Sequence, residues 1–249
     1  MLSQHEHDAP RVVVAICTYN ERDNIVAMLD RIAGAMPSAD ILVVDDDSPD
    51  GTAQTARAHA ATMPIRVVVE VRQNKRGLGG AILAAMRYAV DHQYAWLINL
   101  DADLSHDPDD VPRLFEASST HQGADVIVGS RYVAGGQIEG WPWHRKWMSR
   151  TLNGFTRLLL NLPVRDASGS FRCYRVATLQ RVMNRWEQRH HQPSNGYSFL
   201  QEVMLSLQDA GASFVEVPIT FTDRVAGTSK LDFREAMRSA ATIARLKTR

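Results

Sequence analysis

Cysteine is scarce in this chain. There are two, Cys17 and Cys173, far apart and each in an apolar stretch. Two such residues build neither a disulfide framework nor a zinc cluster, and a reducing compartment is the expectation. Net charge is absent: 28 Lys+Arg stand against 28 Asp+Glu. That balance gives no case for bulk nucleic-acid binding. Lysine itself is rare, four against twenty-four arginines. Long hydrophobic runs are also missing. The best candidate, Phe155 to Val164, is short and carries Arg157 and Asn161, well below the ~18 apolar residues that span a bilayer. Residues 1–10 are polar and lack the apolar centre of a signal peptide, so they read as a flexible tail. No repeat, low-complexity tract or linker divides the remainder, so 11–249 is expected to be one domain. Its 45% apolar and 22% charged residues suit a globular chain with a large core.

What is present is alternation. Val12–Cys17, Ile41–Val44, Ile65–Val71, Ala95–Leu100 and Asp125–Gly129 are short apolar runs of the kind buried in parallel sheets. Between them Glu21–Ala35, Thr52–Ala61, Gly77–Val90 and Asp109–Ser119 carry helical spacing. Such a series implies an α/β fold with right-handed crossovers, a mostly parallel central sheet and helices on both faces. The second half is less regular. Trp143–Leu162 reads as a helix with Met148, Leu152, Phe155, Leu159 and Leu162 on one stripe. Ser198–Ala210 reads as a helix, Ser213–Val217 as a strand and Leu231–Arg249 as a last amphipathic helix. Ligands of such sheets bind at the carboxyl ends of the strands, and the polar clusters after Cys17, Val44 and Leu100 all fall there.

Asp101 and Asp103 flank the small Ala102 just past a buried strand. Two carboxylates in so tight a turn can converge on Mg²⁺ or Mn²⁺, with water and substrate phosphate as the other ligands. A capped, Asp-rich turn explains them equally well. Asp45-Asp46-Asp47 repel one another unless donors receive them. A nucleoside would do so, and so would solvated turn chemistry. Lys75 to Gly80 places two cations and three glycines before a helix, which suits a phosphate or a tight turn. Arg224 to Lys230 is a second cationic loop, and Arg131 ends a strand. Arg145 and Ser149 share a helix face. Taken with a metal site, these cations suggest a diphosphate plus a second anion.

The motifs Thr18-Tyr19-Asn20-Glu21, Val43-Val44-Asp45-Asp46, Ser48-Pro49-Asp50-Gly51-Thr52 and Gly77-Leu78-Gly79 are followed by Asp101-Ala102-Asp103-Leu104-Ser105-His106. Then come Gly129-Ser130-Arg131-Tyr132, Gly169-Ser170-Phe171-Arg172, Gly196-Tyr197 with Phe199 and Glu202, Val217-Pro218-Ile219, and Arg224 with Gly227, Ser229, Lys230 and Leu231. In this order they resemble glycosyltransferase family two, and within it the polyprenol-phosphate (dolichol-phosphate) mannose synthases, from about Val12 to Leu231. The resemblance implies a GT-A-type nucleotide-binding sandwich. It implies a nucleotide-sugar site at Thr18, Tyr19, Glu21, Asp46, Lys75, Gly79, Asp101, Ala102, Arg224 and Lys230. It further implies a divalent cation, Mg²⁺ or Mn²⁺, at Asp101 and Asp103 with Ser105 as a weaker ligand, and an acceptor phosphate at Arg131, Arg145 and Ser149. Asp101, Asp103, Arg131 and Arg224 would then carry the catalysis. Cys17 replaces a common Pro and Leu200 a common Gln, without loss of a charge. The carboxy-terminal membrane helices of some members have no counterpart.

On that resemblance the expected reaction moves mannose from GDP-mannose to a polyprenyl or dolichyl phosphate with inversion. A phosphate monoester is already largely dianionic near neutral pH, so it needs positioning more than deprotonation. The same chemistry with UDP-glucose, a non-catalytic nucleotide-sugar-binding module and a nucleotidyltransferase are the alternatives. Trp141, Trp143 and Trp147 beside His144, Arg145 and Lys146 suit a membrane interface, with core packing as the other explanation. The expected setting is the cytoplasm, peripheral to the cytoplasmic face of a membrane, with a small anchoring partner as an option. Asp166 is open between orienting a substrate and capping a turn. His106 is read as shaping its loop.

Overall fold

The computed structural model describes residues 10–74, 77–120 and 123–223. The expected amino-terminal tail, Lys75, Arg76, Arg224, Lys230 and the last helix lie outside the described residues. Strands β1 (Val12–Thr18), β2 (Asp40–Asp45), β3 (Val67–Val71), β4 (Trp96–Asp101) and β5 (Val126–Ser130) alternate with helices α1 (Arg22–Ala35), α2 (Thr52–Ala60), α3 (Leu78–Asp91) and α4 (Val111–Thr120). After them come β6 (Gln137–Glu139), α5 (Trp143–Leu160), β7 (Arg172–Arg175), α6 (Val176–Gln188), α7 (Phe199–Asp209), β8 (Phe214–Pro218) and β9 (Thr220–Thr222).

Seven strands form one sheet in the order β3-β2-β1-β4-β7-β5-β8. β7 runs antiparallel to both its neighbours, and every other pair is parallel. Strand periodicity divides the core in two. Val13 and Ala15 of β1, with Leu42 and Val44 of β2, face a cluster under α3, α6 and α7. Val12, Val14, Ile16, Ile41 and Val43 face the other cluster, closed by Ile25, Met28, Leu29 and Ile32 of α1 and by Val111 and Leu114 of α4. Continuous apolar runs are what a strand covered on both faces requires.

β7 and α6 are absent from the sequence-based assignment. β7 is Arg-Cys-Tyr-Arg, four residues bracketed by charge rather than an apolar run. Its Arg172 is fully buried. The guanidinium donates to the carbonyls of Leu200 (2.8 Å) and Ala167 (2.9 Å), which ties α7 to the loop before β7. α6 follows with no turn between, and it buries Val176, Leu179, Val182 and Trp186 at helical spacing. A small parallel ribbon of β6 and β9 sits at the sheet's carboxyl edge. β9 reaches the turn after β4 through a bridge between Phe221 and His106.

Candidate active site

The polar clusters gather where adjacent strands end. In register, Cys17 lies beside Val44 on one side and Asp101 on the other, and Thr18 lies beside Asp45. The three neighbouring acids after β2 are each received separately. Asp45 accepts from Thr18 Oγ1 at 2.8 Å and from Ser48 N (2.8 Å) and Oγ (2.6 Å). Asp46 accepts from Arg72 Nη1 at 2.6 Å and Gly77 N at 2.8 Å. Burial raises the Asp46 carboxyl despite these donors. Asp47 turns outward in the left-handed region and accepts from Asn74 N. Glu21 starts α1, where its backbone N–H donates to Thr52 and its carboxylate accepts from Asn24. Thr18, Tyr19, Glu21 and Asp46 therefore share one rim. Arg72, which the sequence reading did not single out, is the cation that meets Asp46.

The glycines in the first turn of α3 have a specific employer. A Cβ on Gly79 would stand 2.5 Å from the Ser194 carbonyl, and one on Gly80 would stand 2.3 Å from Asn195 Oδ1. Gly79 N donates to the Asn195 carbonyl and Gly80 N to its side chain. Asn195 thus occupies the helix start that the sequence suggested for a phosphate, and the glycines admit the segment at 194–195. Glu202 fixes that segment by accepting from Ser194 N at 2.8 Å and pairing with His191 at 2.7 Å.

Asp101, Ala102 and Asp103 form the turn after β4, with Asp103 buried and Asp101 about one-third exposed. Leu104 holds a left-handed backbone (φ 59°), an uncommon state for a bulky residue. It reverses the chain so that Ser105 donates its N–H and hydroxyl back to Asp103. His106 is buried between Phe171 and Phe221. Burial keeps its imidazole below the ordinary histidine range and neutral. Its Nδ1 has no hydrogen-bond partner and lies 3.8 Å from Asp101 Oδ2. No group of three acidic, His or Cys side chains is poised for a metal among the described residues. The oxygens of Asp101, Asp103 and Ser105 still fit a hard divalent cation of the kind that keeps water and substrate phosphate as its remaining ligands.

Arg131, at the end of β5, is almost fully buried and clamped. Its Nε and Nη2 donate to the two oxygens of Asp166 at 2.7 and 2.8 Å, and Nη2 also reaches Ser168 Oγ. Burial alone would raise Asp166, but the Arg131 charge and the N–H groups of Arg131 and Gly169 outweigh it and hold the carboxyl at about 2. Asp166 is in turn placed by Glu216 of β8, which accepts its backbone N–H at 3.0 Å. Of the two readings left open for Asp166, the turn cap is present, since the carboxylate accepts from Ser168 N and Gly169 N, and the same carboxylate holds Arg131 in place.

The inner face of α5 completes this side. Ser149 Oγ lies 2.7 Å from Tyr132 Oη. Asn153, one turn on, bonds Ser149 O, Ser168 Oγ and Ala167 N. Arg145 stacks 3.9 Å from the Trp141 ring centroid and pairs with Asp223 at 3.3 Å. Trp141 packs on Phe221 and donates Nε1 to Asp223. The tryptophan cluster therefore divides: Trp141 braces Arg145, while Trp143 and Trp147 are exposed. Asn153 is a neighbour of Ser149 that the sequence reading missed, and Tyr132 stood there only as a member of its motif. The signal for Asn153 was its place four residues after Ser149 and eight after Arg145.

Residues 13–183 match the model of glycosyl transferase family 2. The chain is 41% identical over 230 residues to a polyprenol monophosphomannose synthase of Mycolicibacterium smegmatis, covering 91% of this chain and 84% of that protein. It is 40% identical over 222 residues to an undecaprenyl-phosphate mannosyltransferase of Micrococcus luteus, covering 89% and 87%. In structure it is similar to a glucosyl-3-phosphoglycerate synthase from Mycobacterium tuberculosis in complex with Mg²⁺ and UDP, with TM-score 0.68, 17% identity and coverage of 96% and 80%. A complex of that synthase with Mn²⁺, UDP-glucose and phosphoglyceric acid gives TM-score 0.68 at 18% identity. At such identities the likeness speaks for the fold. With the family model across most of the chain and two relatives at about two-fifths identity, the protein belongs to glycosyl transferase family 2.

Proposed function

We propose that the protein transfers mannose from GDP-mannose to a polyprenyl phosphate, with inversion at the sugar carbon, while peripherally attached to a membrane. One observation carries this reading. His106 lies 3.8 Å from Asp101 and packs on Phe221, whose ring centroid is 5.3 Å from the Arg131 guanidinium, so the acidic turn and the clamped arginine line one place. A diphosphate-leaving group and a phosphate nucleophile need that adjacency. The names of the two relatives, which specify a mannosyl group and a polyprenyl carrier, support the same donor sugar and acceptor class.

Thr18, Tyr19, Glu21 and Asp46 form the rim for the nucleoside, joined by Lys75 from outside the described residues, while Gly79 packs on the segment at 194–195 instead. Asp101 and Asp103, with Ser105, would hold a divalent cation, Mg²⁺ or Mn²⁺, whose chemistry is to neutralise charge gathering on the departing diphosphate. Arg224 and Lys230 are assigned to that diphosphate as well. On the acceptor side, Arg131 offers its guanidinium, and Ser149 and Arg145 offer a hydroxyl and a second cation. Because Asp166 neutralises Arg131, this arginine contributes direction rather than net charge. The attacking oxygen is already ionised, so no side chain has to take its proton. His106, buried and neutral, supports the turn and has no proton-transfer task.

The test mixes the purified chain with labelled GDP-mannose, Mg²⁺ and a short polyprenyl phosphate. Butanol-extractable label carrying a β-mannosyl phosphate is expected. Transfer from UDP-glucose alone, transfer to the free alcohol, or an α-linked product would overturn the assignment.

A further inference from the structure

Among the described residues, the large apolar side chains left exposed all belong to one helix. They are Trp143, Trp147, Met148, Leu152, Phe155 and Leu158 of α5, from 42% to 82% exposed. The helix is built inside out relative to an ordinary surface helix. Its buried residues are Asn153, Thr156 and Leu160, so its polar face meets the protein. The 3.6-residue period sets Trp143, Trp147 and Leu158 in one outward row, with Met148 and Phe155 beside it. Lys146, Arg150 and Arg157, at offsets of four and seven, form a basic row along one border. The helix has four Lys/Arg residues and no Asp or Glu.

We infer that the outer face of α5 lies flat in the interface of an anionic lipid bilayer. The charge pattern selects this occupant: an apolar strip bordered by cations and free of acids matches acyl chains beneath negative headgroups. Tryptophans at the start of the helix suit the headgroup level. The inference rests on the reading above in one respect. Ser149 and Arg145 sit on the inner side of the same helix, so a lipid-borne phosphate would meet them without leaving the interface.

The experiment floats the full chain with vesicles of phosphatidylcholine containing phosphatidylglycerol, and with phosphatidylcholine alone, at low and high salt. Binding is expected with the anionic vesicles and is expected to weaken with salt. The double variant Phe155→Ser/Leu158→Ser should lower the partition coefficient about tenfold. Lys146→Gln/Arg157→Gln should lower it severalfold and flatten the salt dependence. Both variants should keep the wild-type circular dichroism and melting temperature. Both should also keep wild-type transfer to a short, water-soluble polyprenyl phosphate. Undiminished flotation of the Phe155→Ser/Leu158→Ser variant overturns the inference. So does a wild-type dimer that fails to float and that these same substitutions dissociate, since the face would then belong to a second copy. Transfer to the short phosphate without flotation sinks the docking surface alone. Flotation that the variants abolish, with no transfer to any phosphate, sinks the enzymatic reading alone.

Discussion

At the ends of β1 and β2, the buried Asp45 is received by neutral donors, Ser48 three residues on and Thr18 on the adjoining strand. At the end of β5, Arg131 is received by Asp166, whose own place depends on Glu216 and whose neighbour Ser168 depends on Asn153 of α5. The first arrangement is made of local turns along a regular parallel sheet. The second is a buried network drawn from a strand, a helix and the loop before β7. A buried carboxylate held by several neutral donors can lose one and keep the rest. A buried ion pair cannot, and loss of one partner strands the other charge. The donor side should therefore fail in chemistry, and the acceptor side in chemistry and stability together.

The largest effect belongs to the acidic turn. Asp103→Ala should lower kcat about 10³-fold, roughly 4 kcal/mol of transition-state stabilisation, beside a smaller loss of stability from the Ser105 donors left without their acceptor. Turnover of this variant at the wild-type rate in the presence of EDTA would remove the metal role. Next comes the clamp. Asp166→Asn should destabilise the fold by about 3 kcal/mol, because Arg131 would stay buried without its counter-charge. It should also raise the acceptor KM. Urea denaturation set beside acceptor kinetics reads both, and a variant as stable as wild type would break the contrast between the two regions.

Acid titration sharpens the same point. The Asp166 carboxyl sits at about 2 in the folded protein and at about 4 when unfolded. A depressed folded value contributes stability that is complete above about pH 4 and is lost as pH falls toward 2. Wild type should therefore lose stability through that window more steeply than Asp166→Asn, as followed by thermal melts at stepped pH. The smallest effect is expected for Arg145→Ala, about tenfold in acceptor KM, roughly 1.4 kcal/mol. Arg145 is only half-buried and shares Asp223 with Trp141. An unchanged acceptor KM would confine phosphate binding to Arg131 and Ser149.

Much of the parallel half was legible in advance, since strands covered on both faces must be apolar throughout and their polar ends must follow. The antiparallel β7 was hidden because its buried residues include Arg172, whose guanidinium is held by carbonyls of α7 and of the loop before the strand. The glycines at the start of α3 were visible as a place of close approach. That Asn195 makes the approach depends on a segment more than a hundred residues later. Met148, Leu152 and Phe155 of the α5 stripe were visible too, but Leu159 packs on the core and Leu162 is buried past the helix end, and apolar spacing alone cannot say which way a helix faces. Here the polar row of Ser149 and Asn153 is drawn inward by Tyr132, Ser168 and Ala167.

The sequence by itself determined the alternation of strand and helix, the carboxyl-end location of the acids and the family, because local periodicity and contiguous motifs need no partner to be read. Only the tertiary structure decided that Asp166 clamps Arg131, that Trp141 turns inward while Trp143 and Trp147 do not, and that α5 shows its apolar side to the outside. Each of those outcomes is set by which distant groups meet in a buried, low-dielectric space, and pairing there is compulsory rather than optional.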